Sequence, residues 1–341
     1  MSQNTPDLQS LQADVWYLKE ISFGSGETKK STKIITQNFN GPCSFIAICN
    51  ILILRGNIEI LPVDRTTVSY EFLSQLVGEY ILVNCHDIDI AAALSMMPST
   101  TKGMDLNPLF TNATSFRPAG DAGELKLFEQ AGIQLVHGWL VDPESREFKA
   151  VTKFEDYDSA VNLVADADHT TKGQLVEVAG SQQAGTSSSA GNYTEEERQK
   201  IEDAINIRSF LETSPSQLTY HGLFTLSSFL SPGSLVALFR SSHLSVLYKS
   251  PSDSSLYTLV SDSVFLHEPS IVWERLEDVD GGWSGFVDGD FVESHPVGGD
   301  FAGETAESTL RAFEAATGQF SVVDPAEYVF INFQHLTVKS C

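Results

Sequence analysis

The stretch QNFNGPCSFIAICNILIL, from Gln37 to Leu54, decides the fold of this chain. Its first part is a polar, turn-forming loop and its second part is an apolar run long enough for a buried helix, with Cys43 at the junction. A thiol at a helix N-terminus meets the positive end of the helix dipole and free backbone N–H groups, and both favour the nucleophilic thiolate. Gln37 lies upstream, where its amide can donate to an oxyanion. The stretch therefore predicts the site of a cysteine hydrolase.

The cysteines also have a simpler interpretation, because free cysteines more often fill space in a core than react. For Cys49, inside the apolar run, and for Cys85 we predict this packing role, and for Cys43 it stands beside the catalytic one. Four cysteines in 341 residues without paired spacing do not indicate a disulfide framework. We therefore expect a reducing compartment, the cytoplasm, with the nucleus left open as a second location.

Composition and charge restrict the partners. The chain is 42% hydrophobic and 19% charged, which is typical of a globular protein. Its formal net charge of −24 argues against binding to nucleic acid or to an anionic membrane, and its longest apolar run, about a dozen residues, is too short to span a bilayer. The sequence contains no HExxH motif, paired CxxC motif, P-loop or dinucleotide fingerprint, so we expect neither a metal nor a cofactor.

The order of elements predicts an α+β fold, with helices first and an antiparallel sheet later. From Ser234 the apolar residues follow a period of two. This period predicts a three-stranded meander of Ser234–Phe239, Leu244–Tyr248 and Leu256–Val260. The cysteine then belongs to the helical part and the sheet supplies the later residues of the site.

Domain limits follow from local composition. Residues 1–13 are predicted to be a disordered N-terminus and residues 14–338 a single domain. A stretch rich in Gly, Ser and Gln at about 179–193 has nothing to bury, so we predict a disordered surface insertion there. Thr194 and Glu197 then form the signature of a capping box, which predicts a helix start.

A cysteine nucleophile needs a base, and the base needs an orienting group. If the second and third strands of the meander pair about a turn centred near Ser252, His243 lies opposite Ser261, with Asp262 beside it. Asp262 suits the orienting role better than Ser261, because a charge-assisted hydrogen bond also stabilises imidazolium. His221 is a rival for the base. A strand-capping histidine and a turn aspartate are the alternative interpretation.

An early cysteine on a helix and a late histidine on a sheet follow the chain order of papain-like proteases. Six segments stand in order along the chain: QNFNGPC at 37–43, MDLNPLF at 104–110, HGWLVDP at 137–143, QLTYHGL at 217–223, LFRSSHLS at 238–245 and VWERL at 272–276. Together they resemble the catalytic domain of the MINDY deubiquitinases, which are papain-like cysteine proteases that cleave polyubiquitin joined through lysine-48 of ubiquitin. The resemblance covers roughly residues 14 to 292.

The resemblance implies the roles of the catalytic residues. Cys43 is the nucleophile, His243 the base, in preference to His221, and Gln37 the oxyanion-hole donor. For the third position it points to Ser261 and Asp262 without separating them.

The resemblance also implies the partners, which are ubiquitin and lysine-48-linked polyubiquitin. Four residues resemble the ubiquitin-contacting surface of the family: Leu106, Trp139, Tyr157 and Phe239. Each is apolar or amphipathic, as contact with the aliphatic patch of ubiquitin requires, and an ordinary core role is the alternative for each. A ubiquitin-chain-binding module with little or no turnover is the alternative function. Cleavage of a ubiquitin-like modifier is a weaker third possibility.

Overall fold

The structure is a computed structural model that describes residues 15–24, 26, 29–37, 42–84, 95, 97, 106–118, 123–175, 193–280 and 285–296. All elements named below lie in one compact unit, Met1–His295. Of a second unit, Pro296–Cys341, only Pro296 is described. The N-terminus predicted to be disordered, Cys85, and the insertion apart from Tyr193 lie outside the described residues, and the single domain of residues 14–338 stays a prediction.

The described residues form helices and strands in a mixed order, which confirms the α+β class. The helices are α1 (Cys43–Arg55), α2 (Tyr70–Asn84), α3 (Gly123–Gln130), α4 (Phe148–Phe154), α5 (Tyr157–Thr170), α6 (Glu195–Thr213) and α7 (Tyr220–Phe229). The strands are β1 (Val15–Phe23), β2 (Lys30–Ile35), β3 (Thr67–Ser69), β4 (Asn107–Pro108), β5 (Phe116–Arg117), β6 (Leu135–His137), β7 (Leu235–Arg240), β8 (His243–Lys249), β9 (Leu256–Leu259), β10 (Trp273–Arg275), β11 (Phe286–Val287) and β12 (Glu293–Ser294). None of the described helices combines the length and hydrophobicity of a membrane span.

Two sheets carry the segments of the candidate site. The larger has the order β12-β11-β10-β9-β8-β7-β6, in which only β6 pairs in parallel, with β7. It contains the predicted meander as β7, β8 and β9, so that prediction is confirmed and the meander is the centre of a wider sheet. The smaller sheet has the order β2-β1-β3, and β2 leads towards Gln37.

Helix α1 is buried on all sides, as its continuous apolar run predicts. Every residue from 44 to 54 is buried, and the helix packs against β2, β7 and β8. It ends at Gly56, whose left-handed φ of 75° lets its N–H donate to the last carbonyls of the helix. Asn50 fixes it laterally, because its side chain exchanges two hydrogen bonds with the backbone of Ile35 on β2. The N-terminus of α1 lies near Leu244, at the start of β8.

The predicted capping box at the start of α6 is present. The Thr194 hydroxyl accepts from the Glu197 N–H at 3.2 Å, and the Glu197 carboxylate accepts from the Thr194 N–H at 2.7 Å. This confirms the predicted start of the helix.

Candidate active site

Cys43 is the first residue of α1 and is half-buried. The backbone N–H groups of Leu244 on β8, of Ser44 and of Cys43 itself lie near its sulfur and favour the thiolate. Burial raises the pKa of the Cys43 thiol, and the hydrogen bonds from Leu244, Ser44 and its own N–H offset this only in part. The N–H groups at the helix N-terminus thus act towards thiolate, as expected, but the desolvation of the thiol outweighs them in this conformation.

His243 precedes Leu244, so the candidate base stands on the same stretch of backbone that reaches the Cys43 sulfur. Its side chain has a solvent-exposed face, yet the protein atoms around it desolvate the ring and lower the pKa of the imidazole. His221, the rival, lies in the first turn of α7, a helix whose buried Leu226 packs in a different hydrophobic cluster from α1. The geometry thus favours His243 as the partner of Cys43.

Gln37 and Asp262 are brought together by the backbone. The Gln37 N–H donates to the Ser261 carbonyl at 2.6 Å, and the Ser263 N–H donates to the Gln37 carbonyl at 3.0 Å, so that the two segments form a parallel bridge. The candidate oxyanion donor and the candidate orienting residue therefore share one anchored piece of backbone. Sequence analysis missed this bridge because no local pattern marks it.

Asp262 caps the short 3₁₀ turn Ser263–Phe265, where its carboxylate accepts from the Val264 N–H at 3.2 Å. Burial raises the pKa of this carboxyl, and the backbone donors of Val264 and Ser263 partly offset the rise. Among the residues that the structure describes, no hydrogen bond joins Asp262 or Ser261 to the His243 imidazole. The role of either residue in orienting His243 stays a prediction.

The register between β8 and β9 differs from the predicted one by a single residue. Leu247 pairs with Thr258, and extending that register by four residues along each strand places Asp262, not Ser261, opposite His243. The cause is the loop: Lys249 pairs with Leu256, so the centre of the connection lies between Ser252 and Asp253 rather than at Ser252.

A comparison with known protein families agrees with the motifs and with the α+β fold. A family model for the MINDY deubiquitinases matches residues 14–291. The chain belongs to the MINDY deubiquitinase family. The resemblance drawn from the six motifs is thereby confirmed.

Individual MINDY proteins match over the same region. Ubiquitin carboxyl-terminal hydrolase MINDY-1 of Mus musculus is 32% identical over 305 residues, which cover 86% of this chain and 58% of the relative. The Homo sapiens MINDY-1 is 33% identical over 306 residues, covering 86% and 57%. The Homo sapiens MINDY-2 is 30% identical over 292 residues, covering 82% and 40%. The chain thus spans little more than half the length of these MINDY-1 relatives and less of MINDY-2.

Three of the four residues that resemble the MINDY ubiquitin-contacting surface are buried in this conformation, and the fourth, Tyr157, is half-buried. Leu106 and Phe239 are core residues that pack in the same cluster as α1. Trp139 is 4% exposed, donates from its indole nitrogen to the Ser214 hydroxyl at 2.7 Å, and contacts the half-buried ring of Tyr157. The core interpretation accounts for these positions, and direct contact with ubiquitin, which would need their exposure, stays a prediction.

Lys19 is a buried charge that the sequence did not reveal. The alternation of β1 breaks at this residue, because Leu18 and Lys19 are both buried. Its ammonium donates to the Ile271 carbonyl, in the segment that connects the 3₁₀ turn after Asp262 to β10. Burial lowers the pKa of Lys19 to about 8, and nearby Glu268 acts in the opposite direction. Lys19 thus ties the smaller sheet to the segment that carries Asp262.

The candidate set consists of a thiol on α1, an imidazole on β8 next to the Leu244 N–H that approaches the thiol, and an amide side chain on the segment bridged to Asp262. Such a set can form an acyl-enzyme and stabilise its oxyanion. Within the described residues, no group of three His, Cys, Asp or Glu side chains is arranged to hold a metal ion.

Proposed function

We propose that this protein is a cysteine-type deubiquitinase of papain-like fold that hydrolyses the isopeptide bonds of lysine-48-linked polyubiquitin. The approach of the Leu244 N–H to the Cys43 sulfur carries this proposal, because Leu244 directly follows His243 and Cys43 stands at a helix N-terminus in a member of the MINDY family. The cytoplasm is the location we propose, since its thiols are kept reduced.

In the proposed reaction, His243 takes the proton from the Cys43 thiol, and the thiolate attacks the carbonyl carbon of ubiquitin's C-terminal glycine. The Gln37 amide donates to the oxyanion that forms. His243 then gives the proton to the departing lysine amine, and water hydrolyses the thioester, which releases ubiquitin and restores the thiol.

The resting geometry favours a second candidate, a ubiquitin-chain-binding module with little or no turnover. Burial raises the pKa of Cys43 and lowers the pKa of His243, so both groups favour their neutral forms. No described residue hydrogen-bonds the imidazole. In the enzyme, Asp262 or Ser261 would have to reach His243 in a conformation that the free protein also samples, and so favour the thiolate–imidazolium pair.

Incubation with diubiquitin of every linkage and with longer chains, followed by gel analysis, separates the two. We expect lysine-48 chains to be cleaved well ahead of lysine-63, lysine-11 and linear chains, a preference that rests on the family resemblance. Equal cleavage of lysine-48 and lysine-63 chains would contradict the linkage preference. Binding of lysine-48 chains without any cleavage would assign the protein to the binding module.

A further inference from the structure

The turn that precedes His243 is strained. It is a two-residue hairpin turn, Ser241 and Ser242, between the paired residues Arg240 and His243. Its central residues have φ values of 52° and 56°, in the left-handed region. Hairpin turns with two left-handed residues strongly prefer Asn-Gly or Asp-Gly, because most side chains disfavour this backbone. Two serines would not hold such a turn by their own preference.

A neighbouring segment supplies the hydrogen bonds that the turn lacks. The Ser216 carbonyl accepts from Arg240 Nε at 3.2 Å and from the Ser241 hydroxyl at 3.1 Å. The Gln217 side-chain carbonyl accepts from the Ser242 N–H at 3.2 Å. We call Ser216 and Gln217 the brace. It contacts each of the three residues that lead into His243.

The brace is itself fixed to the core. The Gln217 N–H donates to the Ser214 carbonyl at 3.0 Å, and the Thr219 N–H donates to the Gly138 carbonyl at the same distance. At this point α7 approaches the backbone so closely that a Cβ on Gly222 would lie 1.8 Å from the Gly138 oxygen. The position of the brace is therefore set by packing.

Arg240 has a second anchor. Its Nη2 donates to the Val279 carbonyl at 2.6 Å while its Nε donates to Ser216. The planar guanidinium can serve two separate carbonyls in fixed directions, which a lysine ammonium on a flexible stem does not reproduce. Arg240 pairs directly with His243 across the hairpin, so these two hydrogen bonds of its guanidinium fix the strand next to the candidate base.

We propose that Gln217 and Arg240 are positioning residues of the candidate active site. They hold the Ser241–Ser242 turn in its left-handed conformation and thereby set the imidazole of His243 against Cys43. The imidazole has no hydrogen bond to any described residue, so the backbone that carries it is the part of its placement that Gln217 and Arg240 can set. The inference rests on the proposed function.

The first test compares Gln217→Gly with Gln217→Glu. Glycine accepts the φ of 53° at this position without strain but loses the acceptor, whereas glutamate keeps a carbonyl-type oxygen at the same reach. We expect Gln217→Gly to lower kcat for chain cleavage roughly 10–100-fold with KM nearly unchanged, which is the effect of a misplaced catalytic group, and Gln217→Glu to stay near wild type. Arg240→Lys should fall between them. Ser252→Ala, in the loop at the opposite end of β8, is the matched control and should keep full activity.

The second test is rescue. Ser241→Asn combined with Ser242→Gly gives the turn a sequence that favours the left-handed conformation by itself. In the Gln217→Gly background this pair should restore most of the lost kcat. A loss that the pair does not restore would mean that Gln217 acts in another way, and an unchanged kcat in Gln217→Gly would overturn the proposal directly.

Iodoacetamide alkylation of Cys43 across pH separates failure of this inference from failure of the proposed function, because it needs no ubiquitin. His243→Ala defines the alkylation profile of a thiol without its imidazole. Gln217→Gly should shift the wild-type profile towards that of His243→Ala, and the turn substitutions should reverse the shift. A Gln217→Gly profile identical to wild type would overturn the positioning role even if chains are cleaved.

Discussion

Helix α1 and the β7–β8 hairpin meet where the Leu244 backbone approaches Cys43, but different forces hold them. In α1, residues 44 to 54 are all buried, so apolar packing fixes the thiol. At the hairpin end, Ser241, Ser242 and His243 are exposed, and hydrogen bonds from the brace fix the turn. The position of the nucleophile is therefore tied to the stability of the whole domain, whereas the position of the base can change locally. Substitutions in α1 should cost stability, and substitutions around the hairpin should cost rate.

The largest effect is expected where the two regions touch. Cys43→Ala should lower chain cleavage by several orders of magnitude, because the covalent step is lost, while chain binding survives. Cleavage assays and a pull-down with lysine-48 chains measure both. Cys49→Ala, farther along α1 on its buried surface, is the control and should keep the chemistry with some loss of stability. Cleavage by Cys43→Ala within about tenfold of wild type would remove Cys43 from the nucleophile role.

Gln37 tests a part of the site that hydrogen bonds, rather than apolar packing, hold in place. Gln37→Ala should lower kcat roughly 10²–10³-fold, the usual loss for one oxyanion donor, without matching loss of chain affinity. The backbone bridge to Ser261 and Ser263 does not use its side chain, so the melting temperature should change little. An unchanged kcat would leave Gln37 with only its structural role in the bridge.

Leu52 tests the packing side. This fully buried residue lies in α1, so Leu52→Ala should lower the free energy of unfolding by about 2–5 kcal/mol. Chemical denaturation measures the loss. Leu82→Ala on α2, where the side chain is 58% exposed, should cost far less. At a temperature where Leu52→Ala is fully folded, its kcat should match wild type. A selective loss of kcat there would contradict the proposed division between the two regions.

His137 tests the sheet behind the hairpin, since it lies on β6 opposite Phe239. Burial lowers its pKa from 6.5 to about 4. The unfolded chain therefore binds a proton that the folded protein does not, and stability present above pH 6.5 is lost as the pH falls to about 4, by roughly 3 kcal/mol. Urea unfolding of His137→Gln across this range should show a correspondingly smaller loss, while the exposed His267→Gln should behave as wild type. Equal acid sensitivity of all three proteins would contradict the assignment.

The smallest effect concerns the residue that orients His243. If Asp262 takes this role, Asp262→Asn should slow alkylation of Cys43 at neutral pH about tenfold and raise the apparent pKa of its thiol, which corresponds to one charged hydrogen bond of roughly 1.5 kcal/mol. Ser261→Ala is the matched control, because side chains of adjacent residues in a strand point to opposite faces. A large loss in Ser261→Ala with none in Asp262→Asn would give the role to the hydroxyl.

The sequence predicted those features that local patterns specify. The apolar run after Cys43 and the alternation around His243 gave α1 and the meander their limits, because burial imposes a helical or a two-residue period. Other features depend on pairing between distant segments, as do the bridge between Gln37 and Asp262 and the buried Lys19. The one-residue change in register depends on whether the loop between β8 and β9 has an odd or an even number of residues. The direction of the Cys43 pKa also needed the structure, since desolvation depends on what packs over the thiol.

The bridge between Gln37 and Asp262 has a consequence for hydrogen exchange. The amide hydrogens of Gln37 and Ser263 lie in one pair of backbone hydrogen bonds, although the residues are far apart in sequence. Opening this pair exposes both amides to solvent at once, so the two should show the same protection factor and gain protection together when a chain binds. Two amides on distant segments would thus report a single opening motion at the site.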